Sequence, residues 1–351
     1  MGTQIGKLLI NCRQNITISD LSGQTVGFDA YNTIYAFLAR IRDKSTGGGY
    51  FTDSEGHVTS HLLGLFPRLT YFLQNNIKPI FIFDGKPPIL KAKEISYRKQ
   101  RKKIAEIKRA TAIADGKLDE ASKFAQATSK ITPEILKDTK TLLQLLGIPF
   151  VHAPSEAEAQ GAMMNQGGLI QAMASQDYDS FLFGCPVVIR NLGISQRRKI
   201  PNQARFVEIS TERVVLKELL KELELKSREQ LILLGILVGT DYNPKGIKGI
   251  GPKTALRLVR KYPNLSTLQN YLDSKYSLDD VLPYSLATLL DCFKSPESDP
   301  NLNFTFSKPQ TKKISEFLIE ERDFRPERIQ NSLKILKRLS KQNTLDQFFG
   351  N

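Results

Sequence analysis

Short apolar runs that stop on, or just before, a carboxylate recur along the first half of this chain. Residues 25–29 (Thr-Val-Gly-Phe-Asp), 80–84 (Ile-Phe-Ile-Phe-Asp), 148–151 and 169–174 are four of them. They are rich in β-branched and aromatic residues and too short for helices, and so predict buried strands. Helical periodicity fills the gaps: Ile34, Phe37, Leu38 and Ile41 after the first run, then 61–73, then 133–146. The alternation predicts an open α/β sheet, mostly parallel, with helices on both faces and a ligand crevice at the strands' carboxyl ends. Residues 2–9 predict a short helical lead-in, and 47–49 (Gly-Gly-Gly) a loop. Weak periodicity over 111–130 predicts a mobile excursion between two halves of one fold.

The acidic residues concentrate where the crevice is expected. Asp29 and Asp84 end strands, and Glu156 and Glu158 fall in the first turn of a helix after the third run. Asp177 and Asp179 follow the fourth and point the same way on an extended segment. One such Asp is ordinarily a turn or cap residue, and Ser155 with Glu158 also fits a capping box. Six carboxylates at one sheet edge repel by roughly 1 kcal/mol per close pair even in water. They persist there if cations neutralise them or some are protonated. An all-oxygen set suits Mg²⁺ or Mn²⁺ rather than zinc, and a set this large is sized for two ions, which suits in-line phosphodiester hydrolysis. Beyond Asp84, residues 91–109 hold nine Lys or Arg against Glu94 and Glu106. Lys91 and Arg98, seven apart, share a helix face suited to a scissile phosphate. Tyr31 and Tyr35 lie one turn apart, each either a core residue or an exposed platform for a nucleobase.

Further on, an apolar helix over 231–238 is broken at Gly239, and 246–256 opens another with Pro252 at its first position. Gly246, Gly251, Lys253 and Thr254 nearly spell a P-loop, but Pro252 is one residue too many and a helix precedes. The segment instead offers backbone N–H groups around Gly249, Gly251 and Lys253 to a DNA phosphate, with no sequence readout. At the end of the chain Gln342, Leu345, Phe348 and Phe349 put three apolar groups on one side of a tight turn, to dock on the protein's own core or anchor a partner. The excess of 50 Lys and Arg over 36 Asp and Glu, a formal charge of +14, favours a polyanionic partner. No apolar run is long enough to span a bilayer and no secretory signal is apparent. Cys12, Cys185 and Cys292 form no disulfide or zinc pattern, so a reduced, intracellular protein is expected.

Phe28-Asp29-Ala30, Phe83-Asp84-Gly85-Lys86-Pro87-Pro88, Ala153-Pro154-Ser155-Glu156-Ala157-Glu158-Ala159, Ser175-Gln176-Asp177-Tyr178-Asp179 and Gly239-Thr240-Asp241-Tyr242 together resemble, in order and spacing, the acidic motifs of the flap endonuclease family of structure-specific 5′ nucleases, in its archaeal or eukaryotic form. The resemblance spans essentially the whole chain. It implies a PIN-like fold with a nuclease core over 1–335 (N-terminal region 1–107, helical arch about 91–130, internal region about 132–225, helix–hairpin–helix about 228–262, C-terminal helical region 263–335) and a flexible tail over 336–351. Asp29, Asp84, Glu156 and Glu158 would serve one metal ion, and Asp177, Asp179 and Asp241 the other. Lys91 and Arg98 would contact the scissile phosphate, and Tyr35 would stack on a base. The glycine hairpin would grip duplex DNA with K⁺, and the tail would bind the sliding clamp (PCNA). The implied activity is Mg²⁺-dependent 5′-flap endonuclease and 5′–3′ exonuclease cleavage by a monomer, in Okazaki-fragment maturation and base excision repair. A ribonuclease on a related fold and a non-cutting DNA-binding scaffold are the alternatives. The glycine hairpin and the tail weigh against the first, and the complete acidic set against the second.

Overall fold

The computed structural model describes residues 3–192, 197–199, 206–276 and 278–348. Phe349 and the side chains of Gln342, Leu345 and Phe348 lie outside the described residues. Nine strands are present among them: β1 (Gln14–Ile16), β2 (Thr25–Asp29), β3 (Lys78–Phe83), β4 (Phe150–His152), β5 (Ala172–Ala174), β6 (Val187–Arg190), β7 (Arg197–Lys199), β8 (Phe206–Glu208) and β9 (Thr211–Val215). Seven form one sheet in the order β1-β9-β6-β5-β2-β3-β4, and β7 pairs with β8 alone. The run from β6 to β4 is parallel, while β9 and β1 add on antiparallel at one edge. Strand alternation divides the core into two layers. Ile80, Ile82, Met173 and Val188 face one, with the helices Ala157–Gln166 and Arg228–Val238. Phe28, Phe81, Phe83 and Ile189 face the other, with Ala30–Arg40, Ser60–Gln74 and Pro133–Leu145. The expected sheet, mostly parallel and covered on both faces, is the one observed.

Strand order also fixes where a ligand crevice falls. From β2 the chain steps outward to β3 and β4, then returns to place β5 on the opposite side of β2. Crossovers leave β2 and β5 in opposite directions, which opens a gap beyond their carboxyl ends. A cavity of about 150 Å³ lies there, lined among others by Asp29, Asn32, Thr33, Ser175 and Asp177.

One expectation requires correction. Residues 4–10 are successive turns, not a helix, and drive Ile5 and Leu9 into the core. The stretch 111–130 is mostly helical. The long helix Ala92–Ala114 is followed by Leu118–Ala125, whose Ala121 and Ala125 are fully buried against the glycine loop. Gly48 has φ +77°, and a Cβ on it would lie 2.6 Å from that of Ala125. The small residues that blur the periodicity are therefore a contact face. The last helix, Pro326–Phe348, begins within the expected core and buries Leu336 completely.

His61 lies within the second layer, fully buried, with neither ring nitrogen hydrogen-bonded, near the Asp138–Arg322 ion pair (2.7 Å). Burial lowers its pKa from 6.5 to about 4. The unfolded chain therefore binds the proton first on acidification. The stability that neutral His61 supplies is complete above pH 6.5 and lost as pH falls toward 4, by about 3 kcal/mol at most. His61→Leu should flatten the loss of melting temperature between pH 7.5 and 5. An unchanged pH profile would mean another group sets the acid limit.

Candidate active site

Each acidic residue reaches the crevice on a different element. Asp29 ends β2 and caps the helix Ala30–Arg40, accepting from the Asn32 backbone N–H (2.9 Å) and side-chain amide (2.7 Å). Asp84, just past β3, reaches across to accept the Ala157 N–H at 2.7 Å. It thus caps the helix that carries Glu158. The capping box expected of Ser155 and Glu158 does not form, since the helix's own N-cap residue, Glu156, makes no side-chain cap. Glu158 turns inward instead and accepts from the Ser175 (3.2 Å) and Ser180 (3.4 Å) hydroxyls. Asp177 follows β5. Asp179, buried, accepts the Thr3 N–H at 2.7 Å and the Thr3 hydroxyl. Asp241 lies beyond the apolar helix Arg228–Val238.

The seven groups form one electrostatic cluster. Burial, then Asp84, raises Asp29 to about 8. Burial raises Glu158 well above the usual carboxylate range, and Asp179, Asp29 and Asp177 raise it further. Asp84 is raised by burial, with Glu156 adding to it, and Asp179 is pushed by burial to about 6 with Asp241 and Asp177 contributing. Burial also opposes ionisation of Asp241, but Lys91 and Arg98 outweigh it and hold that carboxyl below its ordinary value. Asp84 and Asp177 thus belong to the same acidic cluster through Asp29 and Glu158.

The cations come from the base of the helical excursion. Lys91 Nζ contacts Glu156 Oε1 and lies 3.6 Å from Asp241 Oδ2, and Arg98 Nη2 is 2.7 Å from that same oxygen. Glu94, buried, holds Arg98 Nε at 2.8 Å. The expected pairing of Lys91 with Arg98 on one face is therefore present. Among the described residues no three acidic, histidine or cysteine groups close to metal-coordinating distance. The carboxylates are engaged by Lys91, Arg98, the hydroxyls and the backbone N–H groups. The donor set nonetheless fits hard divalent cations: it is all oxygen, largely buried, and already in contact with one ammonium ion.

Tyr242 and Thr3 are the residues that sequence reasoning missed. The Tyr242 hydroxyl donates to Glu156 Oε2, and its ring lies 4.9 Å from Lys91 Nζ. Its adjacency to Asp241 was the available signal; nothing marked Thr3. The two tyrosines on the first helix divide. Tyr31 packs edge-on to Phe83, whereas Tyr35 is 41% exposed, with its hydroxyl 3.5 Å from the Gln126 carbonyl. At the glycine hairpin, Gly249 has φ +87°, and Gly251 caps the helix Pro252–Lys261 without a side-chain bond. A Cβ on either would meet nothing within 4 Å, so the backbone is open to a ligand, with Lys253 exposed beside it.

A parallel sheet with an acidic cluster at its switch point, faced by a basic helix, defines a nuclease of the XPG class: residues 1–105 match the XPG N-terminal domain and 147–241 the XPG I-region. Flap endonuclease 1 of Pyrococcus abyssi is 44% identical over 358 residues, covering 99% of this chain and 98% of its own length. That of Aeropyrum pernix is 40% identical and covers 100% of both chains. The solved flap endonuclease-1 from Methanococcus jannaschii superposes with a TM-score of 0.72 at 35% identity, over 97% of this chain and 100% of that one. The catalytic core of Rad2 in complex with DNA substrate has the same fold, with a TM-score of 0.70 at 23% identity over 96% of this chain and 100% of that one. The chain belongs to the flap endonuclease 1 family. It is a nuclease, a phosphodiester hydrolase acting on DNA, and its family implies divalent metal ions. No helix among the described residues is long and apolar enough to cross a membrane.

Proposed function

We propose that the chain cuts DNA at the junction of a single-stranded 5′ flap with duplex, and trims 5′ ends as an exonuclease, through two Mg²⁺ ions for which Mn²⁺ substitutes. The observation that carries this is the acidic cluster at the β2–β5 crevice facing Lys91 and Arg98. Asp29, Asp84, Glu156 and Glu158 would hold one ion, and Asp177, Asp179 and Asp241 the other. Bound there, the ions would supply hydroxide at neutral pH and neutralise charge on the leaving oxygen. Lys91 and Arg98 are fixed cations at the rim, where a phosphodiester entering the crevice meets them, and they hold it in place of bulk water. Tyr35 offers an exposed ring for a base beside the cut. The open hairpin at Gly249, Gly251 and Lys253 takes duplex phosphates, with K⁺ completing the contact. The enzyme acts as a monomer in Okazaki-fragment maturation and base excision repair. A labelled 5′-flap DNA, the same duplex without a flap, and an RNA single strand, each with and without EDTA, test this. Metal-dependent cutting at the flap junction, with weaker trimming of the unflapped duplex from its 5′ end and no cutting of RNA, is the expected result, and cutting of RNA but not the flap would overturn it.

Gln342, Leu345, Phe348 and Phe349 are proposed as the sliding-clamp contact. Deleting 342–351 should leave cleavage by the free enzyme intact and remove stimulation by the clamp. A truncated protein that melts at lower temperature would place these residues in the core instead.

A further inference from the structure

The turn that carries Asp177 and Asp179 is held from behind by residues that never face the crevice. Tyr178, between them, points away from it and is buried, its hydroxyl near Arg13 without a well-formed hydrogen bond. The Arg190 guanidinium lies 4.6 Å from the centre of that ring. The same group directs Nε and Nη2 to the Gln176 carbonyl, each at 3.4 Å, so it spans the turn from the residue before Asp177 to the residue after it. Arg190 is itself fixed. It stands opposite Glu212 in the β6–β9 register, and Nη1 is 2.6 Å from Glu212 Oε2. Arg13 approaches the other carboxylate oxygen at 3.7 Å and the Tyr178 ring at 5.9 Å. Gly6 closes the far side, where a Cβ would lie 3.0 Å from the Tyr178 ring.

With Arg190 4.6 Å from the ring centre and Arg13 at 5.9 Å, this tyrosine is held chiefly by its ring. A cation over a desolvated aromatic face is attracted to the ring electrons, and the bonds to the Gln176 carbonyl add direction. We propose that Arg190, anchored by Glu212, is a positioning residue that sets Asp177 and Asp179 at the spacing a divalent ion requires, acting through the Tyr178 ring and the turn backbone. The inference rests on the assignment of Asp177 and Asp179 to metal binding made above. Supporting groups one layer behind a metal site typically change metal affinity 10–100-fold when removed.

The test is a Mn²⁺ titration of the full-length protein, followed by the fall of the free-ion spectrum, alongside metal-dependent flap cleavage. Arg190→Gln should weaken Mn²⁺ binding about 10-fold and raise by a similar factor the Mg²⁺ concentration for half-maximal cutting, with duplex binding unchanged. Tyr178→Leu should do the same, and the double variant should bind no more weakly than either alone, because ring and cation act as one unit. Tyr178→Phe keeps the ring and should titrate like the unaltered protein. Additive losses, or Arg190→Gln with unaltered Mn²⁺ affinity, would overturn the inference; a fold defect would show as thermal destabilisation that excess Mn²⁺ does not correct, and would overturn it too. Asp179→Ala in parallel separates the two levels. If it leaves Mn²⁺ binding unchanged, the metal assignment fails. If it weakens binding and Arg190→Gln does not, the positioning role alone fails.

Discussion

Asp179→Ala is expected to reduce flap cleavage on the order of 10³-fold or more, with flap binding near that of the unaltered protein and melting temperature almost unchanged. The stability forecast follows from two opposing magnitudes. Removing the carboxylate leaves the Thr3 N–H and hydroxyl without their acceptor, a cost of about 1–3 kcal/mol. Against this, burial and the neighbouring carboxylates raise Asp179 from 3.8 to about 6. A raised carboxyl binds its proton more tightly when folded, so its contribution turns unfavourable as pH climbs through that window. At pH 8, without metal, the ionised group costs about 3 kcal/mol. The two effects nearly cancel, so lost cutting cannot be traced to unfolding. Melting in EDTA at pH 8, flap binding with Ca²⁺ and cleavage with Mg²⁺ check the three parts. Loss of binding together with loss of cutting would make Asp179 a structural residue.

What the chain's pattern reveals depends on how local each determinant is. The strand over 25–29 and the helix that follows it were legible to the residue, because apolar alternation and an Asp cap act within a few positions. The antiparallel edge formed by β1 and β9 was not. Gln14 and Asn15 carry no apolar alternation, and their pairing with Glu212 and Arg213 joins segments nearly two hundred residues apart. The same limit explains the false capping box. Ser155 and Glu158 have the right spacing, but the helix starts one residue later, with Glu156 at its N-cap, and Asp84, brought in by β3, caps it through the Ala157 N–H. Tyr31 and Tyr35 were indistinguishable by spacing, since what partly covers Tyr31 is Phe83 on a neighbouring strand. The acidic residues were legible as a set because a parallel sheet delivers strand ends to one edge whatever the loops do. Of their hydrogen-bond partners, Ser180 and Tyr242 stand next to acidic residues in the chain, whereas Thr3 comes from a distant segment and carried no mark.

Lys91→Ala should produce two effects that separate with metal. In the structure the ammonium contacts Glu156, lies 3.6 Å from Asp241 and is largely shielded from solvent. Burial opposes its charge, but Glu156 and Asp241 outweigh it and raise its pKa above 10.5. A raised lysine contributes its stability in full below that value, so at pH 8 all of it is present. Removing one partner of a largely buried ion pair costs about 3 kcal/mol, or roughly 4 °C for a chain of this size. Arg98, which stays on Asp241 at 2.7 Å, limits the loss. Mg²⁺ should restore the melting temperature, because divalent cations replace the missing charge and bind the folded state alone. Cleavage should not return with it, remaining on the order of 10²–10³-fold low, since the metal-loaded crevice still lacks the cation proposed to meet the scissile phosphate. A variant that melts normally in EDTA would show that Lys91 is no counterion to the acidic cluster. One that regains full cutting with Mg²⁺ would confine it to that structural task and leave the phosphate to Arg98.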